Sequence, residues 1–354
     1  MDDTPREFLD ELLTTHSPSG FETRGQRVWL DYVSGVADDT WTDAYGNAVA
    51  VVDGAGDGPE IAFTGHVDEI GFIVRDVTDE GFLRIGPIGG ADRTVSKGQH
   101  VTVHADSGSV PGVVGQTAIH LRERDDETYD DLEAQFVDVG ATDAEEARSL
   151  VRIGDPVTFS SGLQALHGTR LSARGIDNRV GVWAAAEGLR RAADSGVDAT
   201  VYAVSTVQEE VGLQGARMVG YDLDPDAVVA LDVTHATDTP GVSGERSGPV
   251  ELGGGPVVSR GSTNHPVLVD LLCDAADAAG VDAQLQATGV RTGTDADAFY
   301  TSRSGIPAVN VGIPNRYMHT PVEVVDLDDR DATVALLARV ADAAGEYDEF
   351  SVTV

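Results

Sequence analysis

Two adjacent glutamates, Glu209 and Glu210, follow residues 200–207, whose apolar pattern predicts a buried strand. Neighbouring side chains on a strand point to opposite faces, so at a strand end two carboxylates can turn toward different tasks. One can hold a metal ion while the other moves a proton. A solvated loop is the alternative in so acidic a chain, but the flanking segments AVSTVQ and VGLQGA contain no acidic residue. The pair is therefore a candidate for catalysis.

A histidine and an aspartate lie two residues apart in the segment TGHVDEIGF, at His66 and Asp68. On an extended chain this spacing turns both side chains the same way. Neutral imidazole is the commonest metal ligand in proteins, and a nearby carboxylate can fix its tautomer. Taken alone, a histidine at a strand end is more often structural than a ligand.

Three further segments carry polar residues next to predicted elements. Asp177 precedes a predicted helix and could be no more than its N-cap. Asp232 ends an apolar strand, and His235 and Asp238 follow in a predicted loop. His319 lies in a loop just after a strand predicted at 306–312. None of these positions is decisive alone.

Together these segments supply two imidazoles and three carboxylates: His66, Asp177, Glu210, Asp232 and His319. Such a set can hold two zinc-like ions if one carboxylate bridges them. Ligands of open α/β sheets gather at the carboxyl ends of strands, where most of these residues are predicted. Glu209 remains for proton transfer. Two neighbouring ions that activate a water are typical of hydrolysis.

Six segments, in this order, resemble the tetrahedral (TET-type) aminopeptidases: GHVDEIGF, IDNRVG, QEEVGLQGA, ALDVTHATDTPG, GTDADAF and MHTPVEVV. That family of two-metal peptidases also holds glutamyl aminopeptidases and members labelled endoglucanases. The resemblance covers essentially the whole chain. It implies an enzyme that removes N-terminal residues from short peptides.

The resemblance also assigns roles to residues of this chain. The metal ligands it implies are His66, Asp177, Glu210, Asp232 and His319, with Asp177 bridging. It implies Glu209 as the general base and Asp68 as the residue that orients His66. Two divalent ions per subunit are expected, zinc or cobalt, with manganese as a further candidate. The expected assembly is a tetrahedral dodecamer built from dimers.

The order of predicted elements indicates an α/β fold. Strands alternate with helices, which predicts a sheet covered by helices on both faces. Residues 71–163 differ, because they are β-rich and punctuated by glycine. We predict a discontinuous α/β/α metallopeptidase domain with a mixed sheet, at 1–70 and 164–354. The segment 71–163 would be an inserted, PDZ-like dimerisation domain.

The composition restricts the partners and the surroundings of the chain. Sixty acidic residues against 24 basic ones give a net charge of -36, which argues against nucleic acid or anionic membrane as partner. The acids are spread among patterned elements, which indicates a surface adapted to high salt, as in haloarchaeal proteins. The single cysteine, Cys273, excludes an internal disulfide. With no apparent signal peptide, these features predict a cytoplasmic protein.

Two other functions are compatible with the residues alone. A metal-independent glycosidase would use paired carboxyls about 5–10 Å apart, which would leave His66 and His319 idle. A catalytically inactive, metal-stabilised assembly subunit would have no use for Glu209. In the segment RTGTDADAF, Thr294 and Asp295 are compatible with two roles, a helix cap or a wall of the substrate pocket. The preferred N-terminal residue is not predicted.

Overall fold

The computed structural model describes residues 4–56, 58–122, 129–242, 244, 248–347 and 349–354. Within these ranges the helices are α1 (Thr4–Thr14), α2 (Thr23–Val33), α3 (Ala144–Leu150), α4 (Ile176–Ser195), α5 (Gln214–Asp222), α6 (Pro266–Ala279), α7 (Ala296–Phe299) and α8 (Leu327–Ala344). The strands are β1 (Asp39–Thr42), β2 (Ala48–Val52), β3 (Glu60–His66), β4 (Gly71–Val77), β5 (Leu83–Ile88), β6 (His100–Ala105), β7 (Gly108–Val114), β8 (Phe136–Asp138), β9 (Pro156–Phe159), β10 (Gln164–Ala165), β11 (Arg170–Ala173), β12 (Thr200–Thr206), β13 (Ala227–His235), β14 (Val257–Arg260), β15 (Gln284–Ala287), β16 (Ala308–Asn315) and β17 (Glu323–Asp326).

A mixed sheet of eight strands forms the centre of the molecule, in the order β1-β2-β12-β3-β13-β16-β14-β15. The four middle strands, β12, β3, β13 and β16, are parallel to one another. Their carboxyl ends therefore meet at one edge, where an open α/β sheet binds its ligands. The predicted α/β class with a mixed sheet is confirmed.

Helices cover both faces of this sheet because its strands are apolar on both sides. On β12, Val201 and Ala203 pack into the large core with α1, α4, α6 and α8. Val204 packs on the opposite face with Val219 of α5 and Phe299 of α7. The result is three layers, as the predicted α/β/α arrangement requires. Among the described helices, none combines the length and the hydropathy needed to cross a bilayer.

A second unit lies within the β-rich segment. Strands β4, β5, β8, β7, β6 and β9 close into an antiparallel barrel with its own core around Phe72, Leu83 and Val137. The barrel closes where β4 pairs with β9, with Phe72 opposite Val157. The barrel agrees with the predicted β-rich insertion. The boundaries at 70 and 164, the PDZ likeness and the dimerisation role remain predictions.

One strand is longer than the sequence pattern indicates. We predicted that the strand ends at Asp232 and that His235 lies in a loop, and this was wrong. Strand β13 continues to His235, because its pairing with β16 extends from Val228 opposite Ala308 to His235 opposite Asn315. Asp232 is therefore an inner residue of β13, paired with Gly312 of β16.

The net charge of -36 generates a prediction about stability. Lowering the salt from 1 M to 0.1 M lengthens the screening distance from about 3 Å to about 10 Å, so more acidic neighbours repel one another. We expect the melting temperature to fall as KCl is reduced over this range. Sucrose at matched osmolality controls for exclusion of solutes from the surface. An unchanged melting temperature would contradict the adaptation to high salt.

Candidate active site

Because the parallel strands are in register, polar residues of three segments lie at the same height along the strand direction. His66 at the end of β3 lies opposite Thr206, the last residue of β12. Glu209 follows Thr206 by three residues. Ala230 of β13 lies opposite Thr64 of β3, so Asp232 is level with His66. The sequence positions therefore converge because the strands are parallel and in register.

Asp177 lies between two histidines at the start of α4. Its Oδ1 is 3.3 Å from Nε2 of His66, and its Oδ2 is 3.3 Å from Nε2 of His319. The carboxylate is buried, so its ionised form depends on these partners. One carboxylate that offers a separate oxygen to each of two imidazoles has the arrangement that a bridging ligand requires.

The remaining predicted carboxylates divide between the two imidazoles. Asp232 Oδ1 is 3.7 Å and Glu209 Oε2 is 3.8 Å from Nε2 of His66. Glu210 Oε1 is 3.5 Å from Nε2 of His319. Two groups of three have their ligand atoms within 4.8 Å of one another: His66, Glu209 and Asp232, and His66, Asp177 and Glu210.

These donors fit two divalent cations. Imidazole nitrogens and carboxylate oxygens in one buried cluster suit zinc, cobalt and manganese alike. Glu209 also lies within the first group of three, so the distances alone do not separate a proton carrier from a ligand.

The buried cluster raises the pKa of several of its members. Burial raises the pKa of Glu210 to about 8, and the carboxylate of Asp177 adds to the shift. Burial likewise raises the pKa of Glu209 well above its usual range. The hydrogen bond to Asp177 raises the pKa of His319 to about 10. Cations entering the site would therefore displace protons from its ligands.

The side chain of Asp68 contacts both His66 and the main chain of the glutamate pair. Its Oδ1 is 3.4 Å from Nδ1 of His66. The same carboxylate accepts hydrogen bonds from the backbone N–H groups of Glu209, at 3.0 Å, and Glu210, at 3.2 Å. The hydroxyl of Ser19 donates a fourth contact at 2.6 Å. Asp68 thus fixes the main chain of the glutamate pair as well as contacting the imidazole.

Glu323 was missed by the sequence analysis. It is 1% exposed, and its two oxygens accept the backbone N–H groups of Asp177 and His319, each at 2.9 Å. Glu323 lies in the segment MHTPVEVV, four residues after His319. Its direction depends on the pairing of β17 with β11, which sets Glu323 opposite Ala173. Spacing alone does not indicate that pairing.

The roles of Thr294 and Asp295 are not decided by the sequence, and in the structure the two side chains have different surroundings. Thr294 lines the cavity over the cluster, and its hydroxyl also accepts from Ala296 N–H at 3.3 Å. Asp295 makes no capping hydrogen bond with its side chain, which instead accepts from the Thr206 hydroxyl at 2.5 Å. Burial raises the pKa of Asp295 to about 7.

The cluster opens into a cavity of about 570 Å³. Besides His66, Asp177, Glu209, Glu210, Asp232 and His319, its lining comprises residues 233–235 of β13, residues 291–294 and Met318. The candidate ligands thus form the floor of a space that is large enough for part of a peptide.

A family model of the M42 glutamyl aminopeptidases matches residues 46–336. The chain belongs to this family. Membership in M42 makes it a hydrolase of peptide bonds. The resemblance drawn from the sequence motifs is thereby confirmed.

Known aminopeptidases and peptidases match this chain over nearly their whole length. A lysyl aminopeptidase of Pyrococcus furiosus is 33% identical over 93% of this chain and 94% of its own. The TET aminopeptidase of a marine-sediment Thaumarchaeota archaeon has a TM-score of 0.90, at 31% identity over 96% of both chains. The TET1 peptidase of Pyrococcus horikoshii, which assembles into a tetrahedron or an octahedral shell, has a TM-score of 0.85 at 31% identity, over 95% of this chain and 99% of that one.

The position of Glu323 predicts that Glu323→Gln weakens metal binding. Glutamine keeps the shape but offers one acceptor oxygen, so either Asp177 N–H or His319 N–H is left without a partner. Outer groups of this kind typically change metal affinity by about 10- to 100-fold. Competition with a fluorescent chelator would measure the change.

The matched control for Glu323→Gln is Glu133→Gln. Glu133 is an exposed residue of the barrel segment, 3.4 Å from Arg75, and makes no contact with the cluster. Melting curves would verify that both variants are folded. Equal metal affinity in Glu323→Gln, Glu133→Gln and wild type would contradict the positioning role.

Proposed function

We propose that this protein is an aminopeptidase that uses two divalent cations to hydrolyse the first peptide bond of short peptides. The observation that carries the proposal is the carboxylate of Asp177, with one oxygen 3.3 Å from each of two imidazoles. A single-metal site has no use for this symmetric arrangement. M42 membership supports the peptide as substrate.

Each cation would be held by one imidazole and one further carboxylate, with Asp177 shared. His66 and Asp232 would hold one cation, and His319 and Glu210 would hold the other. Zinc or cobalt is the proposed metal, with manganese as an alternative. When bound, two such ions supply Lewis-acid chemistry to the attacking water and to the scissile carbonyl.

Glu209 is the proposed general base. It takes a proton from the attacking water and later delivers it to the departing amine. Its buried position raises its pKa above the usual range, which makes the carboxylate a stronger base. Asp68 keeps this carboxylate in place through the Glu209 backbone N–H. Adjacent glutamates thus perform two tasks on one anchored stretch of main chain.

The family supports cleavage at the N-terminus, but it does not specify the residue removed. The description of the M42 family model is glutamyl aminopeptidase, whereas the Pyrococcus furiosus relative is a lysyl aminopeptidase. These names refer to side chains of opposite charge. We propose that the protein acts on short peptides in the cytoplasm, and the preferred residue must come from the cavity itself.

Two variants test the division of labour within the cluster. Glu209→Gln should keep two ions per chain and lower kcat by about 10²–10⁴-fold, because the amide preserves shape and removes the base. Asp177→Ala should lose metal and activity together, because it removes the shared ligand. Elemental analysis beside peptide hydrolysis separates the two outcomes.

Each variant has an outcome that overturns its assignment. A near-normal rate in Glu209→Gln at full metal content would remove Glu209 as base, and loss of metal there would make it a ligand. Two ions per chain in Asp177→Ala would place the bridge elsewhere. Wild-type activity that survives a strong chelator, with metal shown to be absent, would refute the two-metal proposal.

The barrel insertion is proposed to pair subunits within a tetrahedral dodecamer. It contributes none of the proposed metal ligands, although its Gly90 carbonyl oxygen lies 3.1 Å from Nδ1 of His319. Ile119 and Leu121 in this segment are 70% and 80% exposed, which is typical of a surface that another chain covers. The shell formed by the Pyrococcus horikoshii relative supports this assembly.

Sedimentation in high salt should therefore show a particle far larger than one chain. The double variant Ile119→Glu with Leu121→Glu should give smaller species, because it places charge in the proposed contact. Ile119→Val with Leu121→Met is the matched control, since it preserves the apolar surface. A wild-type monomer active on peptides would contradict the assembly.

A further inference from the structure

Arg291 lines the cavity over the catalytic cluster and is exposed. Within the described part of the chain, no hydrogen-bonding or ion-pairing group is in range of its guanidinium. This is unexpected where 60 acidic residues accompany 24 basic ones. By contrast Arg316, which does not line this cavity, donates to both oxygens of Asp238, at 2.7 and 2.6 Å. Within the described part of the chain, Arg291 therefore contributes an unpaired cation to the lining of the candidate substrate cavity.

The main chain next to Arg291 is fixed, so this position is not that of a loose surface loop. The carboxylate of Asp297 accepts from Thr292 N–H at 2.9 Å, from the Thr292 hydroxyl at 2.8 Å and from Gly293 N–H at 3.0 Å. Both oxygens of Asp297 are thus engaged by Thr292 and Gly293. The base of the Arg291 side chain is thus anchored while its charge remains without a partner.

Charge in the cavity favours an anionic group of the substrate at Arg291. Two divalent cations would balance the four carboxylates of Asp177, Glu209, Glu210 and Asp232. Among the described lining residues, Arg291 alone is a lysine or arginine. A guanidinium binds a carboxylate through two parallel hydrogen bonds, a match that ammonium lacks.

We infer that Arg291 is a specificity-determining residue that binds a carboxylate of the peptide substrate. This inference rests on the proposed aminopeptidase function. The carboxylate has two chemical sources, the side chain of an N-terminal aspartate or glutamate and the terminal carboxylate of a dipeptide. Both present the same planar anion to the same guanidinium.

Two substrate pairs distinguish these sources by changing charge at nearly constant shape. Glutamyl- and glutaminyl-aminomethylcoumarin differ in the first side chain, and Leu-Gly and Leu-Gly-amide differ at the terminal carboxylate. The wild type should prefer the anionic member of one pair by about tenfold or more in kcat/KM, as a charge-assisted hydrogen bond implies. Arg291→Gln should abolish that preference at unchanged metal content.

Two further variants control for charge and for folding. Arg291→Lys should restore part of the preference, because it returns the charge without the planar fork. Arg191→Gln removes an exposed arginine of α4 outside the cavity and should leave every ratio unchanged. All measurements are made at one ionic strength, since screening weakens the contact.

Each outcome has one meaning. A lost preference in the first pair assigns the side-chain carboxylate, and a lost preference in the second pair assigns the terminal one. Equal ratios in wild type and Arg291→Gln for both pairs overturn the inference. Calorimetric binding of L-glutamate against L-glutamine tests Arg291 without turnover. A wild type that hydrolyses no peptide would instead refute the proposed function.

Discussion

Repulsion among buried carboxylates is the unfavourable interaction that the rest of the structure must offset. Asp177, Glu209, Glu210 and Asp232 are all largely buried around two imidazoles, in surroundings where like charges interact strongly. Side chains alone would turn away from one another. The main chain of Asp177, Glu209 and Glu210 is held by other carboxylates, and that of Asp232 is held by the pairing of β13 with β16. Asp68 accepts hydrogen bonds from the backbone N–H groups of the glutamate pair, and Glu323 accepts them from Asp177 and His319.

The anchoring residues are in turn fixed by the layers around them. Glu69, next to Asp68, forms a buried ion pair with Arg179 at 2.8 Å and a second one with Arg174. Since Arg179 is two residues from Asp177, this pair ties the loop after β3 to the start of α4. Gly65 lets β3 approach α4 closely, because a Cβ there would lie 2.7 Å from Val182 N. Strand, loop and helix are thus held together beneath the cluster.

Much of this arrangement could be predicted because it follows from local pattern. Apolar strands that end in polar residues predicted the segments of His66, Glu209 and His319. The tendency of open α/β sheets to gather ligands at the carboxyl ends of strands predicted their convergence. Glu323 could not be found this way, since its role is visible only when β17 pairs with β11. The length of β13 was also misjudged, because its last residues are held by pairing with β16 rather than by their own apolar character. Long-range pairing is the information that the local pattern lacks.

The pairing of β4 with β9 has a consequence for modularity. Because Phe72 lies opposite Val157, the chain enters and leaves the barrel at neighbouring points. With a core of its own, the barrel packs as a distinct unit. It still reaches the candidate site, because the Gly90 carbonyl oxygen lies 3.1 Å from Nδ1 of His319. If the barrel pairs subunits as proposed, exchanging its strands between related chains would change how subunits associate, provided that the loop at Gly90 is kept.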